Sequence, residues 1–195
     1  ASEVLFSYTN AGNGRETTDK LKIKGNSQKN IFFGVRPCDA YSLTLLDRVF
    51  LDAPHRDPYY LQKRENSLII SLACQEVGET CFCTAVNGSP VNEKGGDILC
   101  YRINDRLLFK STSPKGDEFL DSCAHIFSEP DQLVLEAQKE HENRVKGMEK
   151  TFTTVHTETA LGDMSPTAPF WEETSRFCLT CGICTYLCPT CHCFG

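Results

Sequence analysis

The chain ends in a dense run of thiols: Cys178-Leu-Thr-Cys181-Gly-Ile-Cys184-Thr-Tyr-Leu-Cys188-Pro189-Thr-Cys191-His192-Cys193-Phe-Gly195. Within it lies C-x2-C-x2-C-x3-C-P, the cysteine spacing that holds [4Fe–4S] clusters in bacterial ferredoxins. Three thiolates two residues apart on a tight turn reach three corners of one cubane. Gly182 lets the backbone bend closely around it, and Pro189 turns the chain away. In two-cluster ferredoxins the fourth cysteine, here Cys188, serves the other cluster. A zinc knuckle is the competing reading, but zinc sites favour paired C-x2-C units. Cys178, Cys181 and Cys184 are therefore expected to bind one [4Fe–4S] cluster and Cys188 a second. Cys191 and Cys193 stand in reserve, and His192 shapes the loop. No second ferredoxin run follows, and the chain starts on Ala1 without an initiator Met, so it is expected to be part of a longer protein.

A second group of thiols lies upstream. Ile31-Phe-Phe-Gly-Val35 is a continuous apolar run, expected to be a buried strand. It leads into Arg36-Pro37-Cys38-Asp39, where Asp39 can cap a helix carrying Leu43, Leu45, Leu46, Val49 and Phe50. A cysteine at a helix start is expected to have a lowered pKa. Ser67-Leu-Ile-Ile-Ser-Leu-Ala73 is a second buried strand ending on Cys74, and Cys81-Phe82-Cys83 follows in the next loop. The two strands are expected to be adjacent and parallel, and ligands bind at the carboxyl edge of such sheets. Cys38, Cys74, Cys81 and Cys83 would converge there as a four-cysteine site, expected to hold a [4Fe–4S] cluster. If the loop is extended, Cys81 and Cys83 share a face and Phe82 points into the core. Arg36 and the helix start would offset the cluster's charge. Zinc, or free or redox-active thiols, are the alternatives.

These residues need elements to position them. The 195 residues suffice for one sizeable core or two small ones. Apolar residues make up 40% and charged residues 24%, ordinary for a globular protein. A net charge of −6 with no Lys/Arg stripe argues against nucleic acid as a partner. No apolar run approaches the roughly 20 residues of a membrane span. Twelve cysteines clustered at short spacings fit metal ligation better than disulfides and imply a reducing, anaerobic cytoplasm.

The fold class expected is α/β (or α+β) for residues 1–150, a linker over 151–169, and the start of a ferredoxin-like iron–sulfur segment over 170–195. Leu21 and Ile23 alternate like a strand. Asp57-Pro58 starts a helix running through Arg64. Gly95-Gly96 reads as a hairpin turn, since no helix start follows it as a phosphate loop would need. Residues 98–103 and 107–109 form a hairpin turning at Asn104-Asp105. Cys100 and Cys123 read as core thiols. Residues 130–148 form an exposed amphipathic helix with His141 solvated. Residues 170–177 form a short helix anchored by Trp171.

Taken together, Phe33-Gly-Val-Arg-Pro-Cys38-Asp39-Ala40, Asp57-Pro-Tyr-Tyr60, Arg64-Glu-Asn66, Cys74, Thr80-Cys-Phe-Cys83-Thr84 and Cys178 through Phe194 carry a family resemblance. The chain resembles the iron–sulfur electron-transfer subunits found in anaerobic sulfite reductases and, as the beta subunit, in sulfhydrogenases. The resemblance implies a ferredoxin-like domain with two [4Fe–4S] clusters and an extra cluster on the upstream cysteines, two to three in all. It implies a cytoplasmic hetero-oligomer that passes electrons between a flavoprotein subunit oxidising a nicotinamide and a catalytic oxidoreductase subunit.

Three functions compete. The first is an electron relay with no catalytic residues of its own, supported by the absence of a Rossmann fingerprint, a P-loop or a Ser/His/Asp set. The second is a thiol- or sulfur-reducing enzyme subunit that uses the upstream cysteines. The third is a zinc-stapled scaffold.

Overall fold

The computed structural model describes residues 6–11, 18–23, 28–52, 54, 56–146 and 162–191. Strands β1 (Phe6–Ala11) and β2 (Thr18–Ile23) pair antiparallel as a two-stranded sheet. A four-stranded sheet follows in the order β3 (Asn30–Val35), β4 (Ser67–Leu72), β5 (Ile98–Ile103), β6 (Arg106–Ser111). The first two pairings are parallel and the last is antiparallel. Helices α1 (Pro37–Phe50) and α2 (Pro58–Glu65) make the crossover from β3 to β4. The β3–β4 pairing is the parallel one read from the two apolar runs. The β5–β6 turn uses Asn104 at φ 54, a left-handed conformation that Asn tolerates.

The core sits on β4 and β5, where hydrophobic residues alternate between two clad faces. Leu68, Ile70, Ile98 and Cys100 pack against Phe119 and Leu120 of α3 (Pro114–Ser122). Leu99, Tyr101 and Ile103 pack with Ala73, Val91 and Ala137, the last on α4 (Gln132–Lys146). Cys100 is fully buried, and burial pushes its thiol up to about 11, so it is an inert core group.

Several expectations are corrected. The Ile31–Val35 strand is an edge, with Ile31, Phe32 and Phe33 at least half exposed, because α3 and α4 cover β4 and β5 rather than β3. Asp39 does not cap α1: Pro37 takes the first helical turn and extended Arg36 is the cap, without a side-chain hydrogen bond. Gly95-Gly96 belongs to the turn entering β5, which runs parallel to β4, so it closes no hairpin. His141 is 4% exposed and meets the Tyr101 ring edge-on, because it lies one helical turn after Ala137 on the face that packs on β5. Cys123 caps the end of α3 and is half-buried beside Ser122, since the helix stops before it can turn inward.

Gly34 has φ +83 and is the extra residue of a β-bulge: Phe33 pairs with Ile70, and Val35 already pairs with Ser71. Parallel partners share a face, so Phe32 (opposite Ile69) and Val35 (opposite Ser71) point the same way. The bulge thereby re-aims the strand just before Arg36 and Cys38.

Candidate metal centres

Two parallel strands end side by side, and each delivers a cysteine from its carboxyl end. Cys38 occupies the first turn of α1, and Cys74 follows β4 with its N–H donating to Pro90 O at 3.0 Å. The N–H of Cys81 donates to Gly78 O at 3.0 Å, and a 3₁₀ turn over Cys83–Val86 closes with Gly88 N–H donating to Cys83 O at 2.8 Å. The loop is therefore not extended at Cys81-Phe82-Cys83. Phe82 is 53% exposed rather than in the core, because the chain begins to coil at Cys83.

Cys38, Cys74 and Cys83 act electrostatically on one another, and Cys81 acts on Cys74 and Cys83. Burial raises the Cys38 pKa, and the Asp39 carboxylate raises it further, as do the charges of Cys74 and Cys83. This reverses the lowering expected at a helix start: partial burial and an adjacent carboxylate outweigh the backbone. The Cys38 thiol points toward Asp39 Oδ1 at 3.8 Å. Burial also raises Cys74, against the opposing charge and hydrogen bond of the Arg36 side chain, while Cys83 and Cys81 add to the rise. Cys83 is raised by burial and by Cys81, with the Thr84 N–H pulling the other way.

Among the described residues, no three Cys, His, Asp or Glu side chains sit close enough to hold a single metal ion. Zn–S bonds of ~2.3 Å require sulfurs within about 4 Å of each other. A cubane carries its thiolates on separate irons and holds them wider apart. Cys74 and Cys83 are half-buried and Cys38 and Cys81 exposed, with Arg36 beside Cys74, and an all-sulfur donor set is the kind that iron–sulfur clusters use.

The α1 platform under Cys38 is fixed from behind. Gly95, at φ +86, presses against the Ala40 carbonyl where no Cβ has room. Arg64 donates to Gly95 O at 3.2 Å and to Asp47 Oδ1 at 3.3 Å, and Tyr60 donates to Asp47 Oδ1 at 2.7 Å. Asp57 caps α2 by accepting from Tyr59 and Tyr60 N–H. The helix start at Asp57-Pro58 was legible in the sequence, but the Arg64–Gly95 and Asp47 contacts were not, since these residues carry no thiol and no metal-ligand spacing.

At the carboxyl end, helix α5 (Pro169–Ser175) is anchored by Trp171, whose Nε1 donates to Ser165 O at 3.0 Å. Cys178, Cys181 and Cys184 are exposed and open to ligation. The Thr180 N–H donates to Cys178 Sγ at 3.4 Å, and Gly182 at φ +72 opens the short helix α6 (Ile183–Leu187), which carries Cys184. Cys188 follows α6, and its thiol is lowered to about 7 by hydrogen bonds from Cys191 and then Thr190. Cys191 thus sits beside Cys188, a pairing that spacing alone did not reveal. Cys193 and His192 lie outside the described residues, as does most of the 151–169 linker.

Over 167 residues, 85% of its length, the sequence is 35% identical to Sulfhydrogenase 2 subunit beta of Pyrococcus furiosus. By this match the chain is similar to a sulfhydrogenase beta subunit. It spans about half the length of that curated relative, 49%. No protein-family model and no solved structure matches it. This sulfhydrogenase beta-subunit relative combines a thiol-edged parallel sheet with a cysteine-rich terminal turn. Among its described residues no helix is long and apolar enough to cross a membrane.

Proposed function

We propose that this chain is the iron–sulfur electron-transfer subunit of a hetero-oligomeric oxidoreductase of the hydrogenase or sulfur-reducing kind. It takes electrons from a flavoprotein partner and hands them to a catalytic subunit in an anaerobic cytoplasm. The observation that supports this reading is that Cys38 feels the charges of Cys74 and Cys83, and Cys81 acts on both of those, where β3 and β4 end. Bound [4Fe–4S] clusters would supply one-electron transfer without making or breaking bonds to a substrate.

The residues share the work. Cys38, Cys74, Cys81 and Cys83 hold the upstream centre with four thiolates, leaving no iron corner open for substrate. Arg36 offsets part of its negative charge through Cys74. Cys178, Cys181 and Cys184 hold a second centre, with the Thr180 N–H bonded to the Cys178 sulfur. Cys188 serves a third, and Cys191 joins it there because the two already share a hydrogen bond.

Metal analysis of anaerobically purified protein tests the reading. About eight to twelve irons per chain, four for each cluster, are expected. About one zinc with no iron would replace it with the scaffold.

A further inference from the structure

A groove of about 350 Å³ lies on the α1–α2 side of the exposed edge strand β3. Its lining includes Phe32 and Val35 of β3, Ile69 of β4, Asp39 and Leu43 of α1, and Pro189. Pro189 comes from the far end of the chain. The bulge at Gly34 puts Phe32 and Val35 on this one wall. Phe32 is half exposed, and Tyr186 and Leu187, shortly before Pro189, are more exposed still, with Leu187 at 69%. Two exposed apolar surfaces therefore meet where Pro189 touches the groove, and closing them removes both from water.

The cysteines flank this meeting point. Asp39 follows Cys38, and Pro189 follows Cys188. We propose that the groove is the seat of the cysteine-rich C-terminal turn, and that seating makes the centre served by Cys188 the redox neighbour of the centre built on Cys38. The electronic half of this rests on the relay reading above; the docking half does not. Clusters held there would exchange one electron, one being oxidised as the other is reduced. No bond forms or breaks, and no proton needs to move.

The test uses the full chain and two charge insertions on adjacent residues of β3. Phe32→Glu places a carboxylate in the groove. Phe33→Glu places one on the opposite face, opposite Ile70. Both positions are at least half exposed, so both variants should fold. Electron paramagnetic resonance of the reduced wild type should show spin–spin splitting between two centres. Phe32→Glu should abolish the splitting with iron content unchanged, and Phe33→Glu should retain it. Independently of metal, amide exchange at Leu187, Cys188, Thr190 and Cys191 should be roughly tenfold faster in Phe32→Glu than in wild type. Full iron without splitting, or equal exchange in wild type and Phe32→Glu, overturns the proposal. If iron is missing from the upstream centre the relay reading fails, and amide exchange alone then decides whether the turn is seated in the groove.

Discussion

Asp39 and Pro189 line the same groove, so Cys38 and Cys188, each one residue earlier, are brought to a common region from opposite ends of the chain. The edge strand β3 and its Gly34 bulge make that meeting possible. A bulge-free strand would turn Val35 onto the other face and narrow the apolar wall that Pro189 meets.

The bracing behind Cys38 has a measurable consequence. Gly95→Ala adds a methyl against the Ala40 carbonyl at a backbone φ of +86. Strain of this kind costs roughly 3 kcal/mol, a drop in Tm of roughly 6–12 °C for a chain of this size. Because Ala40 lies two residues after Cys38, upstream iron should fall while C-terminal iron persists. Gly162→Ala, with nothing within 4 Å of its Cβ, should leave Tm and iron unchanged. Calorimetry with iron analysis of both variants checks this.

Thiol reactivity in the metal-free, reduced protein should follow the electrostatics. A lowered pKa raises the thiolate fraction at neutral pH, and a raised pKa reduces it. Cys188, at about 7, is about half thiolate at pH 7 and should alkylate early. Cys38, Cys74 and Cys83, all raised by burial, should lag, and buried Cys100 should react last. Peptide mapping after timed iodoacetamide labelling reads the order. Cys74 or Cys83 reacting before Cys188 would contradict it.

At the carboxyl end, Cys181→Ser should remove about one cluster's worth of iron, roughly four atoms, and leave the upstream signal in place. Unchanged iron would reject the ligand assignment built on the x2-x2-x3-Pro spacing.

Much of this was legible before the structure. Continuous apolar runs marked β3 and β4, and a cysteine at the end of each placed two thiols on one sheet edge. Terminal spacing alone identified the cysteine run. What was not legible depends on tertiary context. Ile31-Phe32-Phe33 reads as a buried strand, yet sequence does not say which faces the helices will cover, and they cover β4 and β5. The Phe82 side chain faces solvent because a 3₁₀ turn already starts at the next residue, Cys83, where an extended loop would have continued. His141 is buried by helix phase, which its polar neighbours conceal. The Arg64–Gly95 brace joins residues 31 apart, a distance that no local motif encodes.

The central claim is that Cys38, Cys74, Cys81 and Cys83 together hold an electron-relaying cluster, and Cys74→Ser tests it most directly. Electron paramagnetic resonance of the reduced variant, compared with wild type at equal protein concentration, should show one cluster signal lost, the C-terminal signals intact, and about four irons fewer per chain. An unchanged spectrum with unchanged iron would mean that these four thiols hold no cluster, and the account of the upstream centre would fall.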